Sequence, residues 1–130
     1  MRAALEMLAL KHSAPRLKDA DLAVIEAAQA SCESADSLAA WDAANREFHS
    51  AIISQCDMPR LLATLKQLEL SNSRFVFALG KVRGWQQRSN QDHRLIVDAL
   101  RARDTERALL LLARHIGTME RIGFPAASDS

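Results

Sequence analysis

The sequence predicts an all-α fold: six amphipathic helices joined by short loops. Three observations carry that prediction. Apolar residues recur at three- and four-residue steps along nearly the whole chain, and no stretch alternates as a strand would. Only 4 Gly and 3 Pro stand among 130 residues, too little turn chemistry for an all-β fold. The remainder is dominated by Ala, Leu, Arg, Glu and Gln, all good helix formers. Short connections between helices imply antiparallel neighbours packed as a bundle.

The first helix is expected from Arg2 to His12, with Leu5, Met7 and Leu8 on its apolar face, and Ser13-Ala14-Pro15 ends it. The second begins at a cap supplied by Asp19 or Asp21 and reaches Cys32, with Leu22, Ile25, Ala28 and Cys32 facing inward. The third occupies Asp36 to Ser54, and its inward face reads Leu38, Trp41, Asn45, Phe48/His49, Ile52. Asp57 and Pro59 open the fourth, which runs to Leu79 on the repeat Leu61, Leu65, Leu68, Asn72, Phe75, Leu79. Gly80-Lys81-Val82-Arg83-Gly84 is the turn before a fifth helix, Trp85 to Ala102, with His93, Ile96, Val97 and Leu100 on one face. Asp104 caps the sixth, Thr105 to Ile122, whose stripe is Ala108, Leu112, His115, Met119. Residues 1–122 read as one domain, and 123–130 as a disordered tail.

Composition excludes several classes. A length of 130 residues supports one domain with one sizeable core. A net charge of +1 and a pI near 7.9 give no polybasic surface for nucleic acid or membrane. No apolar window approaches the roughly 18 residues of a membrane span, and the N-terminus lacks a signal-peptide pattern. Cys32 and Cys56 form no CxxC pair and read as free thiols in a reducing, cytoplasmic setting.

Polar residues interrupt the stripes at Asn45, His49, His93 and His115. A purely structural helix would place leucines there, since burying an amide or imidazole costs free energy unless it is bonded. Two readings follow. Read singly, each histidine is a core residue satisfied by a protein partner. Together, three neutral imidazoles from facing helices, with the Asn45 oxygen, would suit Zn²⁺, Ni²⁺, Fe²⁺ or Mn²⁺. Such a centre could hold the carboxylate of a small molecule or activate water. Hydrolysis would want a general base, but Glu47 points about 200° from Asn45 around its helix, and Asp92 projects off the His93 stripe. No nucleophile motif, phosphate loop or HExxH is present, so no catalytic residue is assigned and the chain is not expected to be an enzyme. His12, at a helix end without a stripe, is expected to be exposed.

The spaced set Asn45…Phe48-His49, then Asp92-His93-Arg94-Leu95-Ile96-Val97-Asp98-Ala99-Leu100…Asp104, then Ala108…His115-Ile116, resembles the effector-binding (FCD) domain of FadR-type GntR transcription regulators. That family pattern is roughly D/N-x-x-F-H, E-H-x-x-I-x-x-A-L-x-x-x-D and A-x(6)-H-L, and Arg2 to Leu8 resembles its opening R-x-x-L-E helix. The resemblance spans about residues 2 to 120. It implies an antiparallel bundle of six or seven helices around a central cavity, where a divalent metal helps bind a small organic acid. The metal ligands then map to Asn45, His49, His93 and His115. It also implies a homodimer whose DNA binding resides in an N-terminal winged helix-turn-helix, which this sequence is not expected to contain. Many metal-binding members carry Asp where Asn45 stands; an amide oxygen ligates without charge and holds hard cations more weakly. Met58 stands where Asn is frequent.

Around that centre, Arg2, Arg46, Asn72 and Arg74 are candidate ligand-binding residues, since arginine recognises carboxylates in bidentate fashion. For Arg46, about 100° off the Asn45 stripe, and for Arg74 the competing reading is a solvated surface residue. Trp41 is expected in the core, while Trp85 could be a lid or a subunit contact. The leading expectation is a ligand-sensing domain of a bacterial regulator. Its rivals are a metal-dependent hydrolase and a metal-free protein-interaction module.

Overall fold

The computed structural model describes the backbone of residues 2–79 and 84–123, and the side chains of 2–69 and 84–121. Six α-helices run in order, α1 Arg2–Ser13, α2 Asp19–Ser34, α3 Leu38–Ile52, α4 Pro59–Leu79, α5 Trp85–Arg101 and α6 Thr105–Gly123, with a 3₁₀ turn at Ala14–Arg16. No strand occurs among the described residues. The tail residues 124–130 and the turn residues 80–83 lie outside the described residues, as do the side chains of Asn72 and Arg74.

The helix ends follow local chemistry. Ser37 caps α3, its hydroxyl accepting from the Ala40 amide at 3.1 Å. At α2 the N-cap position is Lys18, and Asp21 reaches back to accept from the Lys18 amide at 2.8 Å. Asp104 caps α6 through the Arg107 amide at 3.1 Å. Asp57 does not cap α4 as expected; it pairs with Arg16 at 3.2 Å, and the first turn of α4 closes on the Met58 carbonyl. Gly84 enters α5 at φ +80°, a left-handed backbone that suits glycine. Arg103 adopts φ +59° at the α5–α6 corner, where its guanidinium donates to the Leu17 carbonyl and ties that corner to the start of α2.

α2 packs on α3 and α5, α6 on α5 and α1, and α1 and α3 on α4. The main core gathers Leu10, Ile25, Phe48, Ile52, Ile96, Leu112 and Ile116. A second cluster, Cys32, Trp41, Ala44, Trp85 and Met119, surrounds an edge-to-face tryptophan pair with centroids 4.8 Å apart. Trp85 is therefore a buried core residue rather than a lid or a subunit contact. The Trp41 indole donates to Asn90 Oδ1 at 3.0 Å, so its polar edge is satisfied. Cys32 and Cys56 are both buried free thiols, and burial, with Glu33 and Glu47 nearby, pushes Cys32 up to about 12.

The inward face of α1 departs from expectation. Leu8 is exposed and Leu5 only half-buried, while Glu6, Ala9, Leu10 and Ser13 face inward. Those four positions form the i, i+3, i+4, i+7 face of a helix; choosing the larger leucines over that register misplaced the face. The deviation matters, because it brings a carboxylate into the core.

Within the run Leu109–Leu112, burial separates neighbours: Leu112 is fully buried and Leu110 is 61% exposed. Leu112→Ala should cost about 2–5 kcal/mol and Leu110→Ala less than about 0.5 kcal/mol, read from urea midpoints. Equal losses would contradict this packing.

Candidate metal centre

α3, α5 and α6 each bring one imidazole to the middle of the bundle. His49, His93 and His115 are all buried, and one potential ligand atom from each lies within 4.8 Å of the others. Their ring centroids are 5.3 Å (His49–His93), 5.7 Å (His49–His115) and 4.8 Å (His93–His115) apart. Phe48 stacks on His93 at 4.1 Å between centroids, fixing that ring from the α3 side. The three stripes identified in the sequence do converge.

Each ring is oriented by a different partner through Nδ1. His49 Nδ1 lies 2.6 Å from Glu6 Oε1 of α1, His93 Nδ1 lies 2.9 Å from Gln29 Oε1 of α2, and His115 Nδ1 lies 2.9 Å from Asp92 Oδ2 of α5. The Gln29 amide decides the His93 tautomer. Its nitrogen donates to Glu33 Oε1 and to the Asn90 carbonyl, both at 3.0 Å and both able only to accept. Its oxygen therefore faces His93, and His93 must donate from Nδ1. The Nε2 lone pair is left bare, and His93 Nε2 is a buried atom with no protein hydrogen-bond partner.

The electrostatics agree. Burial first, then His115 and His49, pushes His93 well below its ordinary value, so the ring stays neutral. Burial also lowers His115, with the Asp92 hydrogen bond opposing it. Burial alone would raise Glu6; His49, Arg2 and His115 outweigh it and hold the carboxyl below the usual range. Glu6 is thus an acceptor for the His49 ring.

Asn45 is buried one turn before His49 on α3, and its Oδ1 likewise has no protein partner. A bare imidazole lone pair and a bare amide oxygen in one core fit a cation, which needs lone pairs and no protons. Ligating histidines commonly give their other ring N–H to a carboxylate or carbonyl group, as all three do here. The donor set of three imidazoles and one amide oxygen could therefore hold a divalent metal. One potential ligand atom from each of the three histidines lies within 4.8 Å of the others, a wider set than the roughly 3–4 Å that bonds of about 2.1 Å give, so binding an ion would draw the three rings closer together.

The remaining sequence candidates are placed unevenly. Arg2 lies 3.6 Å from Glu6 Oε2, behind the His49 partner. Arg46 pairs with Asp42 at 3.3 Å, is 40% exposed, and lines a surface groove between α3 and α4. Glu47 and His12 are exposed as expected. Asp92, expected to project away from the site, instead orients His115 across the α5–α6 contact. Glu6, Gln29 and Asp42 were not anticipated, yet each had a signal. Gln29 fits the four-three repeat of α2 better than Ala28, and Leu38, Asp42, Asn45, His49 and Ile52 step along α3 by four, three, four and three.

Residues 1–118 match the model of the FCD domain family. Several solved structures are similar to the chain, two of them as follows. One is a GntR-family transcriptional regulator from Pseudomonas syringae pv. tomato, 22% identical at a TM-score of 0.82, covering 94% of this chain and 52% of that one. The other is E. coli McbR/YncC, 25% identical at a TM-score of 0.79, covering 95% of this chain and 64% of that one. The chain thus spans about half to two thirds of their lengths, and the likeness to the former carries the fold alone. No curated protein matches.

In chelator-treated protein at pH 6, His93 should remain neutral with its proton on Nδ1, read by ¹⁵N NMR of the ring. Unfolded chains take up a proton on each histidine below about pH 6.5. The depressed folded values of His93 and His115 should therefore erode stability as pH falls from 7 to 5.5, because the unfolded state binds more protons. Protonation of His93 near its ordinary value would refute the assignment.

Proposed function

This chain belongs to the FCD domain family, and on that premise we propose that it is the ligand-sensing and dimerisation domain of a bacterial transcription regulator. A divalent metal is held by Asn45, His49, His93 and His115, and a small carboxylate metabolite binds through it. The observation that carries this reading is the bare Nε2 of His93, locked in its tautomer by Gln29 and facing two further buried imidazoles. No protein group donates to that lone pair, and a metal ion is an acceptor for it.

The metal supplies a fixed positive charge to which a carboxylate binds. The chain supplies the rest: Glu6, Gln29 and Asp92 hold the rings in position, and Phe48 keeps His93 from turning. Ligand binding biases the bundle toward one dimer arrangement, and the coupled change in DNA affinity is expressed through a winged-helix domain of the same regulator. Arg2, Arg46, Asn72 and Arg74 are the candidate polar groups for the carboxylate, with Arg2 paired to Glu6 and Arg46 to Asp42. The glutamate nearest in sequence, Glu47, is exposed, and Glu6 and Asp92 are engaged with imidazole nitrogens. That arrangement favours sensing over hydrolysis.

Protein purified without chelator should contain about one divalent ion per chain, as a single four-ligand site requires. Chelation should lower the melting temperature, and stoichiometric metal should restore it. Glu6→Gln should weaken metal affinity by about 10–100-fold while the helical circular dichroism is kept. Small carboxylic acids should raise the melting temperature only of the metal-loaded protein. No metal by elemental analysis, together with no thermal response to added Zn²⁺, Ni²⁺, Fe²⁺ or Mn²⁺, would sink the metal centre.

A further inference from the structure

Asp42 has no role in the centre described above, yet it is among the most unusual side chains in the bundle. It is 3% exposed, and its carboxylate faces the interior of a helical protein. One oxygen, Oδ2, meets Arg46 Nε at 3.3 Å. The other, Oδ1, is buried with no protein hydrogen-bond partner. A carboxylate oxygen in that position can only accept, so what it lacks is a donor.

Its place on α3 says where that donor would come from. Asp42, Asn45 and His49 fall within about a 60° arc of the helix and along roughly 10 Å of its axis. They continue the four-three repeat that begins at Leu38 and ends at Ile52. The three polar positions on that face are consecutive, and two of them belong to the metal centre. Asp42 is the third, one turn nearer the helix N-terminus. Arg46, its ion-pair partner, lies about 40° from it on the same helix, and lines the groove of about 350 Å³ between α3 and α4. Among the described residues, the buried side-chain atoms that make no hydrogen bond are Glu6 Oε2, Asp42 Oδ1, Asn45 Oδ1, Arg46 Nε and His93 Nε2, of which Glu6 Oε2 and Arg46 Nε keep ion-pair partners in Arg2 and Asp42. Three of these five sit on one stretch of α3, and the other two are on His93 and on the glutamate that orients His49. The two carbonyl-type oxygens without a donor, Asp42 Oδ1 and Asn45 Oδ1, are thus neighbours on one face of α3.

We propose that Asp42 is the specificity-determining residue of this site, and that the effector it selects is a carboxylic acid carrying a hydrogen-bond donor, a hydroxyl or an amino group. This rests on the sensing function proposed above. The carboxylate of the effector lies at the metal end of the α3 face, and the donor reaches Asp42 Oδ1. A simple acid without a donor leaves Oδ1 buried and unpaired, which is the arrangement that binding sites reject most strongly. Arg46 holds the Asp42 carboxylate from its other oxygen and keeps Oδ1 turned to the ligand.

The test is isothermal titration of the metal-loaded protein with matched pairs: lactate against propionate, malate against succinate, glutamate against glutarate. At least one hydroxy or amino acid should bind roughly tenfold or more tightly than its partner, the difference expected of a hydrogen bond to a charged group. In Asp42→Ala that ratio should fall to within about twofold, while the affinity for Zn²⁺ or Ni²⁺ alone is unchanged. Asp42→Leu should behave like the alanine variant and retains bulk in the core if alanine proves unstable. A purely structural Asp42 would alter melting temperature without moving the ratio. Equal binding of the wild type to both members of every pair overturns the proposal, as does a preference that survives both substitutions. No binding of any acid to metal-loaded protein overturns the carboxylate-sensing reading and the inference with it, and is distinguishable because no ratio then exists to measure.

Discussion

The structure depends on how it satisfies buried imidazole. A neutral histidine carries one donor and one acceptor, and both need partners once water is gone. In this bundle the donor side is settled three times over by groups from other parts of the fold: Glu6 from α1, Gln29 from α2, Asp92 from α5. Spending each Nδ1 proton in this way leaves the Nε2 side for the centre. The consequence is a core whose helices are locked in rotation about their own axes. Turning α1 or α2 by one residue would remove the acceptor that holds a ring, and leave a polar group stranded in an apolar interior.

That constraint explains why charged residues lie where leucines would pack more cheaply. Glu6 is buried on a face whose other members are Ala9, Leu10 and Ser13, and His49, Arg2 and His115 make its burial tolerable. Gln29 serves as a relay, its amide tied to Glu33 and Asn90 on one side and to His93 on the other. Asn90 in turn accepts from the Trp41 indole. The second core cluster and the imidazole centre therefore meet at Asn90 of α5, whose backbone carbonyl accepts from Gln29 and whose side-chain oxygen accepts from Trp41.

The apolar packing supports this polar interior rather than competing with it. Phe48, fully buried, belongs to the main core and also stacks on His93. Leu112 and Ile116 flank His115 on the inward face of α6, and Ile96 and Leu100 follow His93 on α5. Leu112 thus stands one turn before His115 and Ile96 one turn after His93, both fully buried. Such packing holds the two rings in place, because well-packed side chains have few alternative rotamers.

The sequence by itself determined the six helices and their ends to within a few residues, because capping and the three-four apolar repeat are local properties. It also determined which imidazoles face inward, since each interrupts a stripe on its own helix: His49 between Asn45 and Ile52, His93 before Ile96, His115 after Leu112. Tertiary structure alone decided that the three stripes meet, because helix order and rotation depend on the packing of the whole core. It also decided the partners of the rings. Glu6 is 43 residues from His49 and Gln29 is 64 from His93, distances over which no periodicity speaks. The burial of Asp42 was written in the register of α3, where it occupies the repeat better than Trp41. Size misled there, because a helix buries a wide arc and a bulky aromatic at its edge outweighs a carboxylate at its centre in any reading by hydrophobicity. Only the packed core shows that both are inside, and that one carboxylate oxygen of Asp42 makes no hydrogen bond.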